Sequence, residues 1–202
     1  MLNTTSRENE RRMTLPNITF VTGNNGKWAI AKDIFATYGL ALDQAKMETP
    51  EIQSSDVQDV ATYSARYAAQ RLNKPVIKSD VGYYISALNG FPGPLIKYIN
   101  QMLTSEDLLR LMAGEENRIM IIRECLAFAT PDGFTKSFIH EQKTTLAQQA
   151  EGTGSSIDKI MILDGFNKTR GACSPEEVAD FWKKSLTLYH DMAQFLQGKD
   201  FS

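Results

Sequence analysis

A strand, a glycine-containing loop and a helix follow one another early in the chain, and the alternation then continues. Residues 18–22 read Ile-Thr-Phe-Val-Thr, a β-rich run, and residues 27–38 carry apolar side chains at helical spacing. A second helical pattern covers residues 56–72, and residues 75–78 form a brief strand pattern that leads directly to Asp80. Alternating strands and helices predict a mixed α/β fold.

The second half of the chain contains a long hairpin pattern. Residues 118–129 and 135–146 are β-rich and are separated by Thr-Pro-Asp-Gly at residues 130–133. Proline presets φ for a turn and glycine accepts a positive φ, so this segment predicts a tight reversal between antiparallel strands. Residues 159–163 predict one further strand.

Helical patterns occupy the remaining segments. Two short helices are predicted over residues 96–103 and 105–112, the second capped by Ser105 without the acidic residue of a full capping box. Ser174 precedes Pro175 at a first helical position, and the pattern continues to about Leu196.

Composition excludes several classes of function. The 22 basic residues nearly balance the 24 acidic ones, and a net charge of −2 offers no general attraction for nucleic acid or an anionic membrane. No apolar run has the length of a membrane span, and the polar residues 1–16 resemble a mobile tail rather than a secretory signal. Cys125 and Cys173 show no metal or redox spacing. We therefore expect a cytoplasmic protein with free thiols.

The loop Thr22-Gly23-Asn24-Asn25-Gly26-Lys27 lies where a strand meets a helix. Free backbone amides, the helix dipole and a lysine at such a place can hold a phosphate. The spacing is too short for a Walker loop, and Trp28 follows the lysine. The alternative interpretation is a glycine turn beside a solvated lysine.

Two carboxylates are candidate metal ligands. Glu51 and Asp80 each adjoin an apolar element, in the pattern that places side chains at sheet ends. Magnesium prefers such oxygen ligands together with phosphates and water. Taken singly, an acid of this kind is more often a solvated surface residue than a metal ligand.

The order of these motifs resembles the inosine triphosphate pyrophosphatase family between about residues 18 and 196. The most specific part is the segment Leu-Asn-Gly-Phe-Pro-Gly-Pro at residues 88–94, followed by Ile96 and Lys97. The other matching motifs are Val21-Thr22-Gly23-Asn24 with Lys27, Glu51-Ile52-Gln53, Asp80, Asp164-Gly165, Thr169 and Ser174-Pro175-Glu176-Glu177.

The resemblance implies a two-lobed mixed sheet with flanking helices, usually in a homodimer, that hydrolyses non-standard purine nucleoside triphosphates to monophosphate and pyrophosphate with Mg²⁺. It implies that Glu51 and Asp80 hold the metal and that Asp80 and Lys27 take part in catalysis. The positions that it assigns to phosphate are Thr22, Gly23, Asn24, Lys27 and Lys97.

Several positions depart from the family's pattern. An acidic residue and a lysine are replaced by Ser79 and Ser64, and Arg66 could substitute for that lysine only by pointing inward. The base-recognition run Gly-Phe-Gly-Trp/Tyr-Asp falls on residues 154–158, which read Gly154-Ser155-Ser156-Ile157-Asp158. The aromatic residues that would stack on a purine are therefore absent, and stacking of that kind contributes roughly 1–3 kcal/mol per base.

On the last helix, the family's Ser-His-Arg falls on Trp182-Lys183-Lys184, and a preceding lysine falls on Val178. Lysine cannot make the two-pronged contact of arginine, so we expect base preference to change. Asp158, Lys183 and Lys184 remain as candidate base contacts. Trp182 could stack on a base or pack in the core.

Three functional hypotheses follow. The first is an active pyrophosphatase with shifted base preference, and the second is a catalytically weak relative that senses or sequesters a phosphorylated ligand. The third is a structural relative without nucleotide function. In each case we expect a single domain over residues 17–202, in which residues from 89 to about 152 form a second lobe.

Overall fold

Seven strands form one mixed sheet within residues 18–183 and 187–199, the part of the chain that this computed structural model describes. Its order is β2-β1-β3-β5-β6-β7, and β4 pairs with β3. The strands are β1 Ile18–Val21, β2 Leu42–Ala45, β3 Val76–Ile85, β4 Pro92–Gly93, β5 Ile119–Ala129, β6 Thr135–Leu146 and β7 Met161–Leu163. The helices are α1 Asn25–Thr37, α2 Val57–Leu72, α3 Ile96–Met102, α4 Ser105–Leu111, α5 Pro175–Trp182 and α6 Thr187–Leu196.

Strand direction changes across β3. On one side, β1 lies parallel to both β2 and β3, as expected where helices connect successive strands. On the other side, β5 pairs antiparallel with the whole of β3, and β6 continues the antiparallel order through the hairpin. The sheet therefore joins a parallel α/β half to an antiparallel hairpin half.

Three apolar clusters hold the helices on this sheet. α1 and α6 cover one face at the β1 end, where Phe20, Phe35 and Phe128 are buried. α2 covers the other face with a row of small residues, including Ala61 and Ala65, which lets the helix lie close to the strands. A third cluster packs α3, α4 and α5 against the opposite end of the sheet.

The predicted fold class is confirmed, and the helix over residues 56–72 begins after an Asp56 cap whose carboxylate accepts a bond from the Gln58 amide. The cap prediction at Ser105 was wrong. Thr104 is the cap, its hydroxyl accepts from the Asp107 amide, and the Asp107 carboxylate accepts from the Thr104 amide, which completes a capping box. Ser105 instead lies buried inside the first turn.

Three elements also differ from the prediction. The strand predicted to end at Lys78 continues to Ile85, so Asp80 lies within β3 and not at its end. β2 was missed because Leu42–Ala45 has only one strongly apolar side chain at a strand position. The pattern predicted as one helix from Ser174 is occupied by α5 and α6, and residues 184–186 between them lie outside the described residues.

The tail predicted over residues 1–16 also lies outside the described residues. Among the helices that the structure describes, none combines the length and the apolar character that crossing a bilayer demands. The second lobe predicted from residue 89 to about residue 152 stays a prediction. The third cluster also contains Ile157, Met161 and Phe181, which follow that range.

Candidate active site

A gap in strand pairing opens along one edge of β3. β1 pairs with β3 at Val76 and Ile77, and β4 pairs with it at Tyr83 and Tyr84. β5 occupies the other edge throughout, so the segment between these two pairings faces a cleft on the β1 side. Side chains alternate along a strand, which places Lys78 and Asp80 on one face and Ser79 on the other.

The loop after β1 begins α1 at one wall of this cleft. Asn24 caps the helix, and its side-chain oxygen accepts a bond from the Lys27 amide at 3.1 Å. The Thr22 hydroxyl accepts from the Asn24 amide at 3.1 Å, which shapes the turn. Gly23 and Asn24 are exposed. Unpaired amides and the positive end of the helix dipole at this place can hold an anion.

Lys27 extends from this helix end toward β3 and β5. Its Nζ lies 2.9 Å from Glu124 Oε1 and donates a hydrogen bond to Ser79 Oγ at 3.2 Å. The two charged side chains are only 26% and 13% exposed, so the pair is screened less than a surface ion pair. Lys27 is therefore held in one orientation at the edge of the cleft.

Glu51, Asp80 and Lys97 line a single cavity of about 580 Å³ in the cleft. Lys97 Nζ lies 3.6 Å from Glu51 Oε1, and the Tyr98 hydroxyl donates to Glu51 Oε2 at 3.0 Å. A cavity of this size is typical of small-molecule sites. The structure thus brings together the two carboxylates that the sequence separates by 28 intervening positions. An adjoining cavity of about 740 Å³ has no charged side chain in its lining.

The Asp80 carboxyl is buried at an energetic cost. Desolvation raises its pKa to about 6, and the nearby Lys27 charge opposes that shift while Glu51 reinforces it. Asp80 Oδ2 is buried and has no hydrogen-bond partner among the described residues. A buried carboxylate oxygen without a partner is suited to binding a cation. Among the described residues, no cluster of three or more metal-ligating side chains occurs, so the protein alone would supply only part of the ligand set. Two carboxylates suit Mg²⁺, which keeps waters and substrate phosphates as its other ligands.

The predicted base-recognition segment packs into the protein. Asp158 accepts a bond from the Ser155 amide at 3.0 Å and forms an ion pair with Arg170 at 2.5 Å. Ile157 is 1% exposed and belongs to the third apolar cluster, and Ser156 is also buried. Ile157 therefore offers no face to the cleft on which a base could stack.

The remaining predicted contacts lie elsewhere. Lys183 is exposed and pairs with Asp180 at 2.5 Å, while Lys184 lies outside the described residues. Trp182 packs edge-on against Phe181 at 5.1 Å, which supports the core alternative for this side chain. Arg66 is exposed on α2, so it does not take up the inward position considered for it.

Sequence reasoning missed four side chains at or beside the cleft. Tyr98 and Asn100 line the cavity, Glu124 pairs with Lys27, and desolvation lowers the pKa of Lys78 beside Asp80. Asn100 follows Lys97 by one helical turn, so helical spacing could have identified it. Glu124 gave no local signal, because only the long-range pairing of β3 with β5 places it opposite Val81.

These features define an α/β protein in which a basic helix-capping loop and a pair of carboxylates flank one cleft. The chain matches the model of the Ham1 family over residues 18–185, and it belongs to that family. A dITP/XTP pyrophosphatase of Methanopyrus kandleri is 37% identical over 161 residues, covering 79% of this chain and 86% of the relative. A dITP/XTP pyrophosphatase of Methanosarcina acetivorans is 36% identical, covering 73% of this chain and 81% of the relative.

Solved structures confirm the fold. The Ham1 protein of Staphylococcus aureus superposes with a TM-score of 0.74 at 24% identity, covering 91% of this chain and all of that one. A nucleoside-triphosphatase / dITP/XTP pyrophosphatase of Mycobacterium abscessus gives 0.72 at 22% identity, covering 85% and 95%. The resemblance drawn from the sequence motifs is thereby confirmed at the level of the family and its fold.

Proposed function

We propose that this chain is a Mg²⁺-dependent pyrophosphatase that converts non-standard purine nucleoside triphosphates to monophosphate and pyrophosphate. The observation that carries the proposal is the shared cavity of Glu51, Asp80 and Lys97 beside the loop that begins α1. The names of the curated relatives, dITP/XTP pyrophosphatase, support the same chemistry. A cytoplasmic location and a homodimer stay predictions.

Phosphoryl transfer needs charge neutralisation and an aligned water more than covalent chemistry. In the proposal, the α1 amides with Thr22, Gly23 and Asn24 hold phosphate oxygens, and Lys27 and Lys97 neutralise their charge. Glu51 and Asp80 would hold the metal, which would supply Lewis-acid polarisation of the phosphoryl oxygens when bound.

Asp80 has a second role in the proposal, because its raised pKa of about 6 still leaves it mostly ionised at neutral pH. An ionised carboxylate in the cleft can accept a proton from the attacking water. Burial raises the pKa of this carboxyl from its ordinary value of 3.8, and a bound cation would lower that pKa again and keep the carboxylate ionised.

Base preference should be altered in this chain. Ser155 and Ile157 stand where the family carries aromatic residues, and Ile157 is buried. Asp158 is engaged by Arg170, and Lys183 is engaged by Asp180, so either residue would have to exchange its partner to contact a base.

A catalytically weak binding protein is the second candidate function. One observation favours it: Lys27 is neutralised by Glu124 and Lys97 lies against Glu51, so the cations beside the cleft already have acidic neighbours. Binding of a nucleoside triphosphate without turnover would distinguish this candidate from the pyrophosphatase.

Pyrophosphate release with Mg²⁺, measured over a panel of standard and non-standard nucleoside triphosphates, tests the proposal. We expect turnover of at least one non-standard purine triphosphate, and we expect Asp80→Asn to reduce kcat by at least about a hundredfold. Asp33→Asn, an exposed aspartate on α1, is the matched control and should retain activity. Absence of turnover across the panel would contradict the pyrophosphatase proposal, and full activity of Asp80→Asn would remove Asp80 from the mechanism.

A further inference from the structure

Hydrogen bonds join α3 to the loop at residues 154–158, which stands where the family has its aromatic base-recognition run. Asn100 Oδ1 accepts a hydrogen bond from Ser156 Oγ at 2.9 Å and another from the Ile157 amide at 3.2 Å. The Ser105 hydroxyl donates to the Ser156 carbonyl at 2.9 Å, which fixes the loop to α4 as well. Asn100 is thus held by the same loop that lacks a stacking residue.

These bonds determine which way the Asn100 amide is turned. A backbone amide can only donate, so the Asn100 atom that faces Ile157 must be the oxygen. The amide nitrogen is then the polar group that remains for another partner, and it has none among the described residues. Because the assignment rests on a backbone donor, it does not depend on the ambiguity that usually affects asparagine.

Asn100 also lines the 580 Å³ cavity that contains Glu51, Asp80 and Lys97. Lys97 lies one turn earlier on α3, and residues three apart in a helix share a face. A ligand whose phosphates contact the Glu51, Asp80 and Lys97 group would therefore have its nucleoside part within reach of the Asn100 side of the cavity. The donor at this position is preorganised, since Ser156 and Ile157 already hold the oxygen.

We propose that Asn100, oriented by Ser156, is a specificity-determining residue whose side-chain amide donates a hydrogen bond to a carbonyl acceptor of the substrate base. The proposal rests on the proposed function. In it, a hydrogen bond from Asn100 to the edge of the base provides the specificity that aromatic stacking provides in the family. A base that presents an amino donor at that edge would leave both donors unpaired, which disfavours its binding.

Two variants test the contact. Asn100→Asp keeps an oxygen for Ser156 and Ile157 but removes the donor, and Asn100→Leu removes both functions without adding charge. Gln101→Leu is the matched control, because Gln101 is exposed on the same helix. Melting curves establish that each variant is folded.

The readouts are kcat and KM for the preferred nucleoside triphosphate, together with the inhibition constant of inorganic triphosphate, which has no base. We expect both Asn100 variants to lower kcat/KM about tenfold, mainly through KM, because loss of one hydrogen bond weakens binding by about that factor. Inorganic triphosphate should inhibit Asn100→Leu and the wild type within about twofold. Ser156→Ala should show a smaller loss, since Ile157 still orients the amide.

Equal weakening of nucleotide and inorganic triphosphate in Asn100→Leu, or no change in nucleotide kinetics in either variant, would overturn the proposal. If the wild type shows no turnover, the proposed function fails separately. The affinity for a nucleoside triphosphate, measured by calorimetry, then tests the role of Asn100. A loss of affinity in both variants supports the contact, whereas unchanged affinity, or no nucleotide binding by the wild type, refutes it.

Discussion

Asp80 is an ionisable residue in a buried position, and burial opposes its ionisation when no cation is bound. Its carboxyl group is buried within β3, and one of its oxygens has no partner among the described residues. Desolvation favours the protonated form, which is the reason its pKa rises from 3.8 to about 6. The folded state therefore binds this proton more tightly than the unfolded chain does.

The stability of the wild type therefore falls as pH rises through the range between the two pKa values of Asp80. Below about pH 3, Asp80 is protonated in both states and carries no penalty, whereas above about pH 6 the folded state holds a buried charge. In a chelator, we expect Asp80→Asn to match the wild type near about pH 3 and to exceed its free energy of unfolding by up to about 3 kcal/mol at about pH 8. Denaturant titrations across this range measure the difference. A difference that does not vary with pH would show that burial does not raise the pKa of this carboxyl.

The sequence motifs named Glu51 and Asp80 as candidate metal ligands, but they did not show how the two acids meet. Thr22, Asn24 and Lys27 could be proposed as phosphate contacts because they lie within one short loop whose geometry is local. The approach of Glu51 to Asp80 depends on the path of the chain between two distant elements, which no local pattern encodes. Helical spacing from Lys97 could have placed Asn100 on the same face, but its bonds to the loop at residues 156–157 are long-range and had no local signal.

At the element scale, most helices and long strands follow from periodicity and capping. The hairpin of β5 and β6 has the predicted limits at its turn because the Thr-Pro-Asp-Gly segment specifies the reversal locally. β3 extends beyond its predicted end because its pairing with β5 stabilises a run that includes Ser79, Asp80 and Gly82, residues that a propensity argument would exclude. Tertiary pairing decides such positions.

The capping box of α4 provides a test at this scale. The Thr104 hydroxyl accepts from the Asp107 amide at 3.1 Å, so Thr104→Ala leaves that amide without its partner. We expect a loss of about 1 kcal/mol in the free energy of unfolding, the typical cost of removing a cap. Thr62→Ala is the control, since Thr62 lies in the interior of α2 and alanine is favoured there. Equal stabilities of the two variants would contradict the assignment of Thr104 as the cap.

In the whole molecule, one sheet connects two sets of helices that pack at its opposite ends. β3, β5 and β6 run from the clusters under α1, α2 and α6 to the cluster under α3, α4 and α5. The cleft lies along β3 between the pairings with β1 and β4, so its walls come from both ends. The alternation of strands and helices predicted the parallel end, and the motif resemblance named Glu51, Asp80 and Lys97, which line the cavity in the cleft. Neither specified how the base-recognition loop would pack.

We propose that Glu51 and Asp80 share one divalent ion with a bound triphosphate. The number and affinity of bound ions can be measured by titration with Mn²⁺ in the presence of a non-hydrolysable triphosphate analogue. Electron paramagnetic resonance reports the free ion. We expect one tightly bound ion per chain in the wild type, and at least about tenfold weaker binding in both Glu51→Gln and Asp80→Asn. Unchanged Mn²⁺ affinity in either variant would contradict it.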